Sequence, residues 1–88
     1  MEETKSLTVE VLLEESLERT DAKASVSVRG TRFTGWGRAK RNPSDPQVPK
    51  IGEELAIGRA LGDLSNQLLD AAADAIEDFE GQPVHVHA

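Results

Sequence analysis

The fold of this chain is decided by residues 51–79, whose sequence is IGEELAIGRALGDLSNQLLDAAADAIEDF. Apolar residues recur in it at steps of three and four, which is the period of an α-helix. Pro49 before the stretch, and Gly81 with Pro83 after it, are typical of helix ends. The pattern predicts one helix over about 51–80, and its residues 53–79 alone span roughly 40 Å at about 1.5 Å per residue. The first apolar row comprises Ile57, Leu61, Leu64, Leu68, Ala71 or Ala72, Ala75 and Phe79.

The start of this helix is rich in carboxylates. Glu53 and Glu54 are expected in its first turn, where the positive end of the helix dipole favours negative charge.

A second apolar row runs along the same helix with heptad spacing. Its members are Leu55, Gly58, Gly62, Ser65, Leu69, Ala72, Ile76 and Phe79. Each glycine costs about 1 kcal/mol against alanine inside a helix, so a compensating close contact is expected. Either the Pro-rich loop or tail covers this row, or a helix from a second copy packs on it. The candidate self-association surface, called the helix seam below, consists of Leu55, Gly58, Gly62, Leu69 and Ile76.

Composition bounds the class of protein. The chain has 88 residues, a net charge of −6 and no cysteine, so disulfides and cysteine-ligated metal sites are excluded. Nothing in it resembles a signal peptide or a membrane span, so one cytoplasmic domain over residues 1–88 without membrane contact is expected. Charge is divided unevenly, with net +1 over residues 1–50 and net −7 over residues 51–88.

The first half of the chain alternates with period two, which predicts strands. Leu7, Val9, Val11 and Leu13 alternate with mostly polar residues. A polar connection over residues 15–21 follows. A second alternating set consists of Ala22, Ala24, Val26 and Val28. Gly30 supplies a tight turn because it tolerates positive φ.

The third predicted strand, residues 31–41, has two chemically different faces. One face carries Phe33, Gly35, Gly37 and Ala39, and the other carries Arg32, Thr34, Trp36, Arg38 and Lys40. Burying three unpaired cations is prohibitive, so the glycine face is expected to pack on the helix and to leave room for its leucines. Trp36 is then expected on the opposite face of the sheet.

Residues 42–50 (NPSDPQVPK) contain three prolines and predict a stiff crossover between sheet and helix. The predicted fold is therefore α+β: a three-stranded antiparallel meander with one long C-terminal helix packed on one face. The sheet is expected over about 7–41, the crossover over 42–50, the helix over about 51–80 and a tail over 81–88.

Three motifs carry a family resemblance. They are Gly35-Trp36-Gly37, the loop Asn42-Pro43-Ser44-Asp45, and the helix start from Ile51 to Leu61. Together they resemble a family of small actinobacterial proteins known as a domain of unknown function, over roughly residues 9–76. The resemblance implies a fold similar to the double-stranded-RNA-binding domain without its first helix, and it implies no activity.

Nucleic acid is the alternative partner. A helix that starts with Glu53 and Glu54 repels phosphate, which argues against duplex RNA despite the implied fold. The basic-aromatic face, defined as Lys23, Arg29, Arg32, Trp36, Arg38 and Lys40, combines cations with a stacking ring, as single-strand binders do. Glu10 and Glu14 are expected to form ion pairs with these cations, and the tail or a partner protein could cover Trp36 instead.

No residue set indicates catalysis, a cofactor or a metal. His85 and His87 in the tail are two ligands short of a metal site, and the acidic helix ridge offers no fixed geometry. Arg59 is expected to pair with Asp63, or to reach Asp45 and hold the crossover loop. The sequence predicts a non-catalytic cytoplasmic interaction module that forms a homodimer and has room for an unidentified protein partner, with a nucleic-acid-binding accessory role as the alternative.

Overall fold

The protein, described over residues 2–81 by a computed structural model, has three strands and one helix. They are β1 (Glu10–Glu15), β2 (Arg19–Val28), β3 (Thr31–Lys40) and α1 (Pro49–Glu80). The strands form one antiparallel sheet in the order β1-β2-β3, and α1 packs on one face of it. The predicted α+β arrangement is confirmed. The tail with His85 and His87 lies outside the described residues.

Two tight turns join the strands. Between β1 and β2 the Ser16 amide donates to the Arg19 carbonyl at 2.9 Å. Between β2 and β3 both Arg29 (φ 47°) and Gly30 (φ 83°) have positive φ, as a two-residue hairpin turn of type I′ requires. The predicted strands differ from the observed ones at their starts, because β1 begins at Glu10 instead of Leu7 and β2 already begins at Arg19.

Two glycines of β3 set the distance between sheet and helix. A Cβ atom added to Gly35 would lie nearer than 3.0 Å to the Ala60 carbonyl and to Leu64 backbone atoms. One added to Gly37 would overlap the Ala56 carbonyl and the Ala60 amide in the same way. The glycine face therefore packs on the helix, as predicted.

The two glycines were expected to leave room for helix leucines, and the structure differs on this point. They admit the helix backbone itself, so the deepest helix positions are Ala56 and Ala60, both fully buried, instead of the leucines of the first apolar row. Of that row Leu64 is buried, whereas Leu61 is exposed. At Ala56 and Ala60, where the helix backbone touches the two glycines, only a methyl group fits between the layers.

The core is consequently small. Its buried apolar residues are Ala22, Ala24, Val26, Ala39, Ala56, Ala60 and Leu64, and no large side chain among the described residues is completely buried. Larger side chains such as Phe33 and Leu68 are half-buried around this centre.

The helix begins and ends by recognisable signals. Pro49 occupies its first turn, so the helix begins two residues earlier than expected. Glu53 and Glu54 therefore do not fall in the first turn, and Glu54 instead pairs with Lys50. At the other end Gly81 (φ 72°) adopts the left-handed conformation and its amide donates to the Glu77 carbonyl at 2.6 Å. The 32 residues span about 48 Å, which exceeds the roughly 33 Å of a ten-residue strand. Phe79 in the last turn is 92% exposed.

Candidate interaction surfaces

The helix seam faces away from the sheet. At about 100° per residue, Gly58 and Gly62 lie about 160° around the helix from Ala60, which touches the sheet. A Cβ atom added to either glycine would meet no described atom within 4 Å. Leu55 is exposed and Leu69 and Ile76 are half-buried. Within residues 2–81, the Pro-rich loop therefore does not cover the two glycines.

The basic-aromatic face occupies the side of the sheet away from the helix. Trp36 is 62% exposed, and the Lys23 ammonium lies 5.5 Å from the centre of its ring, a cation–π distance. Leu12, paired with Lys23 across the strands, continues the same row. Arg32 and Lys40 are exposed on the same face, whereas Arg29 lies in the turn.

Asp21, which the sequence placed in a connection, neutralises part of this face. Its carboxylate accepts a hydrogen bond from Arg38 Nε at 2.6 Å and forms an ion pair with Arg19 Nε at 3.2 Å. The hydrogen bond from Arg38, reinforced by the charges of Arg38 and Arg19, lowers the pKa of Asp21. The same hydrogen bond, together with the negative charge of Asp21, raises the pKa of Arg38.

The two glutamates expected to pair on this face have other neighbours. Glu10 lies opposite Ser25, and Glu14 lies opposite Asp21. Among the described residues, the ion pairs of this face are those of Asp21 instead. A shallow depression of about 550 Å³ between Leu12, Asp21 and Trp36 follows the same row.

The crossover loop is held by Arg41 and not by Arg59. Arg41 donates from Nε to the Leu17 carbonyl at 3.0 Å and from Nη1 to the Asp45 carbonyl at 2.8 Å. Arg59 instead donates to the Arg38 carbonyl at 2.7 Å, so the expected pairing of Arg59 with Asp45 is wrong.

Arg59 belongs to a row of polar helix residues that was not predicted from the sequence. Asp63 accepts the Trp36 amide at 2.8 Å, and Gln67 donates to the Thr34 carbonyl at 2.6 Å and to Asp63 at 3.2 Å. Arg59, Asp63 and Gln67 are spaced by four and form one polar line along the helix flank. They satisfy backbone groups on the free edge of β3, which we call the capped edge. Their spacing of four residues was the signal in the sequence from which this row could have been found.

An apolar groove lies between the β1–β2 turn, the crossover and the start of α1. Its volume is about 680 Å³, and its exposed apolar side chains are Leu17, Val48, Ile51 and Leu55. Beside it the Glu15 carboxyl shares a hydrogen bond with the Glu53 carboxyl, which raises the pKa of Glu15, with smaller contributions from desolvation and repulsion. Periodicity could not reveal this groove, because loop geometry creates it.

Within residues 2–81, no group of three or more histidine or carboxylate side chains is placed to hold a metal ion. The helix of the described region lacks the continuous apolar length that crossing a bilayer would need.

Comparisons with known proteins place these surfaces in a family context. A family model described as Rv2632c-like matches residues 5–85. The chain is 48% identical over 80 residues to uncharacterized protein Rv2632c of Mycobacterium tuberculosis, covering 91% of this chain and 86% of that protein. It is 38% identical over 79 residues to uncharacterized protein Mb1767 of Mycobacterium bovis, covering 90% of this chain and 84% of that protein. The crystal structure of Rv2632c is similar with a TM-score of 0.85 and 45% identity, covering 93% of this chain and 98% of that one.

Proposed function

The chain belongs to the Rv2632c-like family, and from that premise we propose that it is a non-catalytic interaction module that associates with a second copy of itself. The observation that carries this proposal is the mismatch between its core and its surface. The buried centre consists mainly of alanine, while many large apolar side chains are exposed.

The exposed large apolar side chains are too many to be explained as apolar residues scattered singly over the surface. It comprises Leu7, Val9, Leu12, Leu13, Leu17, Trp36, Val48, Ile51, Leu55, Leu61 and Phe79. Each fully buried leucine, isoleucine or phenylalanine side chain stabilises a fold by about 1.5–3 kcal/mol, so a chain of this size leaves much available stabilisation unused. Association with a second copy is the commonest way to cover such surface.

The helix seam is one surface on which two copies could meet. Its two glycines are open to close approach by another backbone, and Leu55 beside them is exposed. If the seam is the contact, Gly62→Glu places an unpaired charge in it and converts a dimer to a monomer. Ser27→Glu adds the same charge at an exposed sheet position and serves as the control.

Multi-angle light scattering measures both variants against the natural chain, and circular dichroism checks that the helix is retained. A natural chain that stays monomeric at millimolar concentration contradicts self-association altogether.

The rest of the proposed role follows from the chemistry of the described surfaces. They offer no nucleophile, base and orienting group in one cleft, which supports a binding role over catalysis. We place the protein in the cytoplasm, where an unidentified protein partner could use the apolar groove.

A second candidate function is binding of single-stranded nucleic acid to the basic-aromatic face. The observation in its favour is the exposed Trp36 ring with Lys23 beside it. Asp21 weakens the case by neutralising Arg38. The likeness to double-stranded-RNA-binding domains is likewise a proposal, supported by the strand and helix order, and the acidic helix disfavours duplex RNA.

Fluorescence titration tests this candidate. A single-stranded oligonucleotide should quench Trp36 at low ionic strength, with steep weakening as salt is added. Lys23→Gln should weaken the effect, whereas Lys50→Gln, at the helix start, should not. The absence of any quenching at low salt removes this function.

A further inference from the structure

The two edge strands of the sheet, β1 and β3, differ in how their outward backbone groups are hydrogen-bonded. The side chains of Arg59, Asp63 and Gln67 form hydrogen bonds with backbone groups along the capped edge of β3. Along β1 the only ladder among the described residues is the one with β2 on its inner side. An unpaired strand edge is a template for another strand, and this one lacks a bulge, a proline or a covering helix.

The hydrogen-bond pattern identifies which backbone groups of β1 are free. The backbone groups of Thr34, Trp36 and Arg38 point away from β2, so those of the intervening β3 residues point towards it. In β2 the backbone groups therefore alternate between pointing towards β3 and pointing towards β1. By the register of β1 with β2, the backbone N–H and C=O groups of Glu10, Leu12 and Glu14 point towards β2. The N–H and C=O groups of Val11 and Leu13 therefore point outward.

The residues before β1 extend the same edge. Leu7 and Val9 continue the apolar alternation of Val11 and Leu13, yet they form no ladder with β2 and are 64% and 44% exposed. Leu13, on the helix side of β1, is itself 38% exposed. A strand with an open edge and an exposed apolar row on one face is the arrangement that a second strand completes.

We propose that a second copy of this chain pairs its own β1 antiparallel to this edge, with Val11 facing Val11 across a two-fold axis. This inference rests on the proposed self-association and assigns its contact to β1 instead of the helix seam. Val9 then faces Leu13 of the second copy, and both belong to residues whose backbone groups point outward. Because directly opposed residues share a face, the two helices lie on the same side of a six-stranded sheet.

Charge selects this register from its neighbours. With Val11 facing Val11, Glu10 faces Leu12 and Glu14 faces Thr8 of the second copy. The two nearest registers that keep the same residues on each face shift one strand by two residues. They bring Glu10 opposite Glu10 or opposite Glu14 of the second copy. Like charges directly opposed across strands are destabilising, so the proposed register is favoured over both.

Single-cysteine variants test the pairing, because the chain has no cysteine and any disulfide must join two copies. In the proposed register two copies of Val11→Cys have Cα atoms about 5.5 Å apart, within the range that a disulfide spans. Two copies of Leu12→Cys lie beyond that range. We expect mild oxidation of Val11→Cys to give a covalent dimer and oxidation of Leu12→Cys to give none. Efficient cross-linking of Leu12→Cys, or of neither variant, overturns the proposal.

A second comparison separates the edge from the seam. Leu13→Pro removes an outward N–H group without removing a hydrogen bond to β2, whereas Leu13→Ala truncates the side chain and keeps that group. Losing two symmetric donors should raise the dimer dissociation constant about ten- to hundredfold for Leu13→Pro relative to Leu13→Ala, with the helical signal unchanged. If Gly62→Glu yields a monomer while Leu13→Pro stays dimeric, self-association stands and the edge assignment fails. If the natural chain is monomeric, the proposed function fails first.

Discussion

The close packing of helix on sheet gives a sharp prediction at Gly35. Gly35→Ala adds a single methyl group, and that group would lie nearer than 3.0 Å to the Ala60 carbonyl and the Leu64 backbone. These are backbone atoms in the middle of a helix, so they cannot rotate aside as a side chain would. The helix has to shift, and overpacking of this kind typically costs about 1–3 kcal/mol. We expect a loss of free energy of unfolding in that range or above it.

The matched control is the same chemical change at Gly58, which lies in the helix with no described atom within 4 Å of an added Cβ. Gly58→Ala should raise the free energy of unfolding by about 1 kcal/mol through helix propensity alone. Urea unfolding followed by circular dichroism at 222 nm and by Trp36 fluorescence measures both variants. The reasoning is refuted if Gly35→Ala is as stable as the natural chain. A loss of stability at Gly58 would show that the outer helix face is covered.

Three further substitutions probe charge and the hairpin turn. Arg38 lowers the pKa of Asp21 below its ordinary 3.8, so this ion pair stabilises the fold above pH 3.8 and its contribution is lost as the pH falls. Asp21→Asn should therefore lower the melting temperature at pH 7 but hardly at pH 2. Glu53 raises the pKa of Glu15 above its ordinary 4.5, so this pair destabilises the fold as pH rises; Glu15→Gln should raise the melting temperature at pH 7 and not at pH 4. Arg29 has positive φ, and Arg29→Asn should stabilise the turn by about 0.5–1 kcal/mol in urea unfolding, whereas a loss would mean that the arginine side chain has a contact of its own.

The sheet was predictable because its physics is local. Alternation with period two located β2 and β3, and the cost of burying Arg32, Arg38 and Lys40 decided which face of β3 meets the helix. The same alternation extends through Arg19 and Asp21 at the start of β2. Treating those residues as a connection hid the acidic partner of Arg38, so the sequence overstated how basic the outer face is.

The side of the helix that lies deepest was not predictable from periodicity alone. Leucines dominate the first apolar row, and a hydrophobic scale ranks them above alanine. The outcome depends instead on how near the helix axis comes to the sheet, which Gly35 and Gly37 decide from a different part of the chain. Once the backbones touch, Ala56 and Ala60 fit where a leucine would not. The charged residue Arg59 was misassigned for a related reason, because its partner is a backbone carbonyl that no side-chain pattern reveals.

The asymmetry between the two edges bears on the size of the assembly. A sheet with two open edges can add strands at both sides, which leads to open-ended polymers. Here the row Arg59, Asp63 and Gln67 occupies one edge, and β1 leaves the other edge open. Pairing β1 with β1 of a second copy consumes both open edges and leaves a capped β3 at each outer margin. The side chains that close β3 therefore favour an assembly that stops at two copies.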